Sequence, residues 1–267
     1  MAVNGKNICK VSPLMRRGDK PVNIEVTEPI KVEALDLDAQ GIARLAPNEE
    51  EASLGQSGKV IFIKGALPTE LVTYTITSDK ARFSKAKVRD ILKPAVFRVE
   101  PKCKAFGVCG GCTMQHLDIR AQVAMKQRVL EDDLQHIAKV KPEEILRPMG
   151  GPTWEYRHRA RLSAVNRSIK KGTVLIGFHE GKSGYVAHML ACEILPKHVS
   201  DLLPEMRKLV MGLSIVDRMP QIEIAVGEPE DALSDDPKKS KPVTALVFRN
   251  LKPLTAEDEQ LLRAFAD

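Results

Sequence analysis

Aromatic residues are scarce in this chain: one Trp, three Tyr and seven Phe, or 4% of 267 residues. A surface that grips a polyanion mainly by ring stacking is therefore not expected, and charge must carry most of any such contact. Long apolar runs are missing too. None approaches the ~18 residues that cross a bilayer, so no membrane partner is expected. Cysteine is sparse, at five residues, and the chain opens on a basic, polar stretch where an apolar leader would stand. A secreted disulfide framework is excluded on both counts, and a cytoplasmic protein is expected. No strand–GxGxG–helix signature occurs, which leaves no dinucleotide-type cofactor loop.

Four of the five cysteines are what the chain does have. Cys103, Cys109 and Cys112 fall within CKAFGVCGGC, and Cys192 lies far downstream in ACEILP. Three thiols in ten residues with Gly110 and Gly111 between the last two suit a backbone folded tightly round a soft-ligand centre. Structural zinc sites usually pair two short-spaced knuckles. The three-plus-one grouping favours an iron–sulfur cluster, and spacing alone leaves zinc open. Cys9 reads as an ordinary lone thiol. His116 and His158 sit near the cysteines in sequence. With four thiols on hand they are expected at the surface or in hydrogen bonds.

The net charge of +6 and pI of about 9.0 point to a polyanionic partner. Its distribution is uneven. Residues 1–20 carry a net +4, residues 82–104 a net +6 and residues 154–171 a net +5, so the remainder is acidic. Two of these runs flank the cysteine loop. In RHRAR, Arg157, Arg159 and Arg161 alternate, and on a strand they would share one face. Arg44, Arg82, Lys85 and Lys87 are the matching candidates in the first half. Trp154, Tyr156 and Phe106 are the few stacking candidates, each more at home in a core.

Residues 1–20 show no periodicity and read as a disordered basic tail. VNIEV, IKVEALDL, KVIFIKGAL, LVTYTIT and SKAKVRDIL read as five short strands within residues 21–98. Turn residues, among them Gln40–Gly41, separate them, and Pro94 ends the last. The expectation is a small β-barrel of the oligonucleotide-binding type, with an SH3-like barrel or small sandwich reading almost the same. Asp118 N-caps an expected helix to Val140. Strands are expected over Arg159–Val165, Thr173–Phe178, Gln221–Val226 and Val243–Phe248. A helical face from Val199 to Val210 is expected to restart at Pro204. Gly227–Pro242 reads as a hairpin loop, and Thr255 with Asp258 as a capping box. Residues 99–267 thus read as an α+β domain with a mostly antiparallel sheet.

Taken together, CKAFGVCGGCTMQHL, WEYRHRARLS and ACEILP resemble the bacterial 23S ribosomal RNA (uracil-5-)-methyltransferases. GIAR, KVIFIKGALPTE and SKAKV resemble the TRAM domain, an OB-like barrel, of the branch acting on large-subunit rRNA. The resemblance implies that Cys103, Cys109, Cys112 and Cys192 hold a [4Fe–4S] cluster, that 23S rRNA rather than tRNA is the partner, and that the protein is monomeric. It also implies a C-terminal domain that binds S-adenosylmethionine and supplies an attacking cysteine and a carboxylate base. That domain has no counterpart in these residues, so no catalytic residue is assigned. The expectation is the RNA-recognition and cluster portion of such an enzyme, unable to transfer a methyl group by itself. The alternatives are a stand-alone RNA-binding or ribosome-assembly protein stapled by a cluster or zinc, and a fragment of a tRNA uracil-5-methyltransferase. A radical S-adenosylmethionine enzyme is excluded, because its cluster needs a CxxxCxxC run.

Overall fold

A computed structural model of the chain describes residues 23–47, 58–166, 172–181, 183–229 and 241–266. The basic tail with Cys9 and most of the loop expected at Gly227–Pro242 lie outside these residues. The chain divides into two compact units: Met1–Arg98 with His116–Lys141, and Val99–Gln115 with Pro142–Asp267.

The first unit is a six-stranded sheet. Its strands are β1 (Ile24–Lys31), β2 (Ala34–Leu35), β3 (Gln40–Arg44), β4 (Val60–Lys64), β5 (Leu71–Asp79) and β6 (Phe83–Lys93), in the order β1-β5-β6-β4-β3-β2. All neighbours are antiparallel except β4 and β6. One face carries the core: Val32, Ala43, Ile61, Ile63, Val72, Tyr74 and Ala86. Ile61 and Ile63 alternate with Phe62, as the two-residue period of a half-buried strand requires.

Two sequence expectations are corrected here. The hydrogen-bonded ladder has two edges, β1 and β2, where a barrel was expected. Gln40–Gly41, read as a turn, opens strand β3. The turn lies one step earlier, where the Asp36 carboxylate accepts the Gln40 N–H at 2.7 Å and Ala39 takes the left-handed φ of 60°. Gly41 is needed for close approach and not for turning: a Cβ there would sit 2.8 Å from Val32 and 3.0 Å from Ala66. Pro94 does end β6, since its ring removes the next ladder donor.

A buried ion pair closes this unit. Glu70, 0% exposed, accepts the Leu67 N–H at 2.8 Å, the Ala95 N–H at 3.1 Å and two bonds from Arg98 at 2.6 and 2.8 Å. Burial alone would raise its pKa. The Arg98 guanidinium and the two backbone donors outweigh that and hold it below the usual carboxylate range. Helix α1 (Ile119–Asp132) follows, with the Asp118 carboxylate accepting the Arg120 N–H at 3.0 Å as expected of the cap. It ends earlier than the sequence suggested, passing into one wide turn at Asp133–Ile137. Its apolar positions Ile119, Val123 and Leu130 are exposed, so the described residues do not cover that face.

The second unit holds a four-stranded antiparallel sheet, order β10-β9-β7-β8, formed by β7 (Arg159–Asn166), β8 (Val174–Gly177), β9 (Gln221–Val226) and β10 (Thr244–Arg249). Against it pack α2 (Lys197–Asp201), α3 (Leu203–Gly212) and α4 (Ala256–Ala266), around Leu162, Ile176, Leu203, Met206, Val210 and Ile222. The helical face does restart at Pro204, which takes the first turn of α3, where its missing N–H costs nothing. The capping box is formed: Thr255 N–H donates to Asp258 at 3.0 Å, and Asp258 N–H donates to the Thr255 hydroxyl at 3.2 Å. Asp258 also accepts the Ser214 N–H and hydroxyl, and these bonds pull its pKa down to about 2. Among the described residues, no helix is long and apolar enough to cross a membrane.

Candidate metal centre

The cysteine loop is a succession of tight turns clipped to the strand end beside it. Cys103 accepts the Phe106 N–H at 3.0 Å through its carbonyl, and Ala105 accepts those of Val108 and Cys109 at 3.2 and 2.9 Å. Gly107 turns the chain at φ 86°. Gly110 N–H then donates to the His179 carbonyl at 2.8 Å, and Gly181 N–H to the Val108 carbonyl at 3.0 Å. The Gln115 side chain closes the loop by accepting the Cys103 N–H at 3.1 Å. A side chain would be a tight fit at both Gly110 and Gly111. A Cβ on Gly110 would stand 3.0 Å from the His179 carbonyl oxygen, and one on Gly111 3.1 Å from the Phe178 ring.

Cys192 reaches the same place from the opposite direction. It sits in the turn before α2, where its N–H donates to the buried Ser200 hydroxyl at 2.8 Å. Cys103, Cys109, Cys112 and Cys192 line one cavity with Phe106, Phe178, Met189 and Ile194. Cys192 is buried and the other three are half-buried. Burial pushes the Cys109 and Cys192 thiols up. The Gly111 N–H opposes this at Cys109 and the Ile194 and Leu195 N–H groups oppose it at Cys192. The four are brought together as the sequence implied. Among the described residues, however, no group of three His, Cys, Asp or Glu side chains is arranged to hold a metal ion.

The arginine expectation needs correction. Arg159 and Arg161 lie on the exposed face of β7, with Ala160 and Leu162 towards the core. Arg157 precedes the strand. Its N–H donates to the Ile194 carbonyl at 2.8 Å and its guanidinium lies 5.6 Å from the centre of the Phe178 ring. It therefore stands beside the thiols, where its charge favours ionised Cys109. Arg161 and Arg249 both approach Glu223, at 3.9 and 2.9 Å, so that face is partly neutralised. His116 is buried and not at the surface. Its pKa is pushed down to about 4, first by burial and then by the Arg98 charge. Of the stacking candidates, Phe106 lines the cysteine cavity, Trp154 packs on the core with Lys102 5.2 Å from its ring centre, and Tyr156 is exposed.

In the first unit Arg44, Arg82 and Lys87 are exposed and Lys85 half-exposed. Lys85 and Lys87 share the side of the sheet that faces away from the core cluster. That side also carries an aromatic pair which the sequence reading passed over. Phe62 and Phe83 meet edge to face with ring centres 5.9 Å apart.

No protein-family model matches the chain. It is 92% identical over 253 residues to the Polynucleobacter necessarius 23S rRNA (uracil(1939)-C(5))-methyltransferase RlmD, covering 95% of this chain and 53% of that protein. The chain is homologous to the 23S rRNA (uracil-C5)-methyltransferases. The RlmD proteins of Burkholderia cenocepacia and Ralstonia pickettii are 54% and 55% identical over 238 and 242 residues, which is 47% and 50% of their lengths. The chain thus spans about half the length of the curated RlmD relatives it matches. Among solved structures, the Pyrococcus abyssi tRNA (uracil-54, C5)-methyltransferase in complex with S-adenosyl-L-homocysteine aligns with 87% of this chain and 48% of its own, at a TM-score of 0.54 and 15% identity. That likeness supports the arrangement of two mostly antiparallel sheets with few helices.

Proposed function

We propose that this chain is the RNA-recognition and cluster-binding half of an S-adenosylmethionine-dependent 23S rRNA uracil-C5 methyltransferase. The observation that carries the reading is the 92% and 54% identity to RlmD proteins across nearly the whole chain. Residues 21–98 would be the TRAM-type barrel, and residues 99–267 the central domain. The barrel reading is supported by how little separates β1 from β2. Only Val32 and Glu33 lie between, and they stay hydrogen-bonded, to the Glu70 and Ile42 carbonyls at 2.9 and 2.8 Å. Taken as one bent strand, residues 24–35 border β5 at one end and β3 at the other. With β4 and β6 parallel, this would be the strand circuit of an OB barrel, although the ladder itself is not closed.

Cys103, Cys109, Cys112 and Cys192 would hold a [4Fe–4S] cluster. The fit rests on four soft donors lining one cavity and on two glycines where a Cβ would be crowded. When bound, the cluster would tie the 103–112 loop to the turn at Cys192 and so fix Arg157 beside β7. Methyl-donor chemistry is assigned to the half of the relatives that this chain does not span, since no Gly-rich donor loop occurs in these residues.

Anaerobic purification tests the reading. The expected result is a brown protein with about four iron per chain, lost when any of the four cysteines becomes Ser and retained in Cys9→Ser. Stoichiometric zinc without iron would overturn the cluster. Residues 1–267 are expected to bind 23S rRNA fragments without transferring label from S-adenosylmethionine. Label transfer by these residues alone would overturn the division of labour.

A further inference from the structure

Strand alternation sends Ile61, Ile63, Ser84 and Ala86 to the buried side of the first sheet. Phe62 and Phe83 therefore point the other way, and neither packs on the core cluster. Two half-exposed phenylalanines on a polar face are a cost unless something covers them. Their setting says what. The Lys80 and Lys85 ammonium groups lie 5.4 and 5.8 Å from the centre of the Phe83 ring. The parallel register of β4 and β6 places Lys85 opposite Phe62 and Lys87 opposite Lys64. Like charges directly opposite on a sheet destabilise it. Among the described residues, none of these four lysines has an acidic partner within 4 Å, whereas Lys59, at the start of the same strand, is paired with Asp79. An uncompensated cationic row beside half-exposed rings complements a chain that alternates planar rings with negative charges.

We infer that Phe62 and Phe83 form a base-stacking platform for single-stranded RNA, with phosphates held by Lys64, Lys80, Lys85 and Lys87. The rings meet at 85° and both residues are half-exposed, so an incoming base can reach them on the solvent side. A paired helix cannot use it, because its bases already stack on one another. The site rests on the RNA-recognition reading above and goes beyond it by naming the strandedness and the residues that grip the bases. Cations at the rim of a ring are the usual companions of stacked bases, since base and phosphate are separated by only a sugar.

The test uses the full chain, a fluorescein-labelled 12-mer oligouridylate, and a blunt duplex RNA of equal length. Stacking is worth about 1–3 kcal/mol per base, so Phe62→Leu/Phe83→Leu should weaken oligouridylate binding by about 5- to 150-fold. Its salt dependence should not change, because every phosphate contact remains. Lys64→Gln/Lys87→Gln should also weaken binding, most at low salt, but with a log–log salt slope shallower by about 1.4. The duplex should bind the wild type more weakly and be indifferent to the Phe changes. Phe62→Trp gives a second readout that keeps an aromatic ring. The indole fluorescence it adds, over the background of Trp154, should be quenched by the single strand. Unquenched emission from the Phe62→Trp variant with saturating unlabelled oligouridylate, or unchanged affinity in the folded double Leu variant, overturns the platform while leaving RNA binding intact. No binding of either RNA by the wild type overturns the platform and the recognition reading together.

Discussion

Glu70→Gln is the most demanding test of how the first unit is held. The substitution changes almost no volume, so its effect is electrostatic. Oε1 of Glu70 accepts from Ala95 N–H and Arg98 Nε, and Oε2 accepts from Leu67 N–H and Arg98 Nη2. Whichever oxygen becomes an amide nitrogen, two donors lose their acceptor and face another donor. Each orphaned buried donor costs about 1–3 kcal/mol. The Arg98 charge is also left without its counter-ion. Breaking a buried pair by removing one partner typically costs about 3–5 kcal/mol. The Arg98 side chain keeps 21% exposure and some water, so the lower end, about 3 kcal/mol, is expected here. For a unit of this size that corresponds to a fall in Tm of roughly 12–24 °C.

The assay must see one unit at a time, because a two-unit chain has no single unfolding free energy. Amide hydrogen exchange across residues 60–95 serves this purpose. Protection there should drop by about 100-fold or more, while β7 and β9 keep theirs. The pH dependence has a definite sign. The folded pKa of Glu70 lies below its unfolded value, so its stabilisation is complete above the ordinary glutamate range. It is lost as pH falls through the depressed folded value. The wild-type first unit should therefore weaken in acid, and the Gln variant should lose that part of the acid sensitivity. A loss under about 1 kcal/mol, or equal loss of protection in both units, would refute the view that this pair staples the exit of β6 to the turn at Gly65–Leu67. So would the absence of coupling in a Glu70→Gln/Arg98→Met cycle.

Three other outcomes are expected. Gly110→Ala puts a Cβ 3.0 Å from a backbone carbonyl that has no flexible side chain to yield, so iron content should fall while the cysteines remain; full iron occupancy would show the loop has slack. Thr255→Ala removes one arm of the capping box and should cost about 0.5–2 kcal/mol in urea melts of the second unit, with raised exchange confined to α4 and the turn at Ser214. Arg159→Gln/Arg161→Gln should lower RNA affinity and reduce the salt slope by about 1.4, whereas Arg157→Gln, next to Phe178 and the thiols, should alter the cluster's visible spectrum more than the salt slope.

What was legible in the sequence, and what was not, divides along the range of the forces involved. Local signals held. The Asp118 cap, the restart at Pro204, the Thr255–Asp258 box, the stop at Pro94 and the span of β9 each depend on residues within a turn of one another, where backbone chemistry decides alone. The readings that failed concern which partner a segment meets. Gln40–Gly41 looked like a turn because Gly is permissive, but here Gly is required by Val32 and Ala66, brought close by pairing across the sheet. Arg157 was grouped by alternation with Arg159 and Arg161, although the strand itself was expected, and is found, to begin at Arg159. The Arg157 backbone instead bonds to Ile194, a tie that no alternation pattern can announce. Phe62 and Phe83 were hidden for a related reason. Each sits one residue from a core position, and either face of an unregistered strand can be the inner one. Their one available clue was lysine at every second place beyond them, in Phe62–Lys64 and Phe83–Lys85–Lys87. Only the β4–β6 register turns two separate aromatic–lysine alternations into one surface. The cysteines were the exception among long-range features. Their chemistry is narrow enough that composition and spacing predicted the meeting of Cys192 with a loop 80 residues earlier, without any knowledge of the sheet between them.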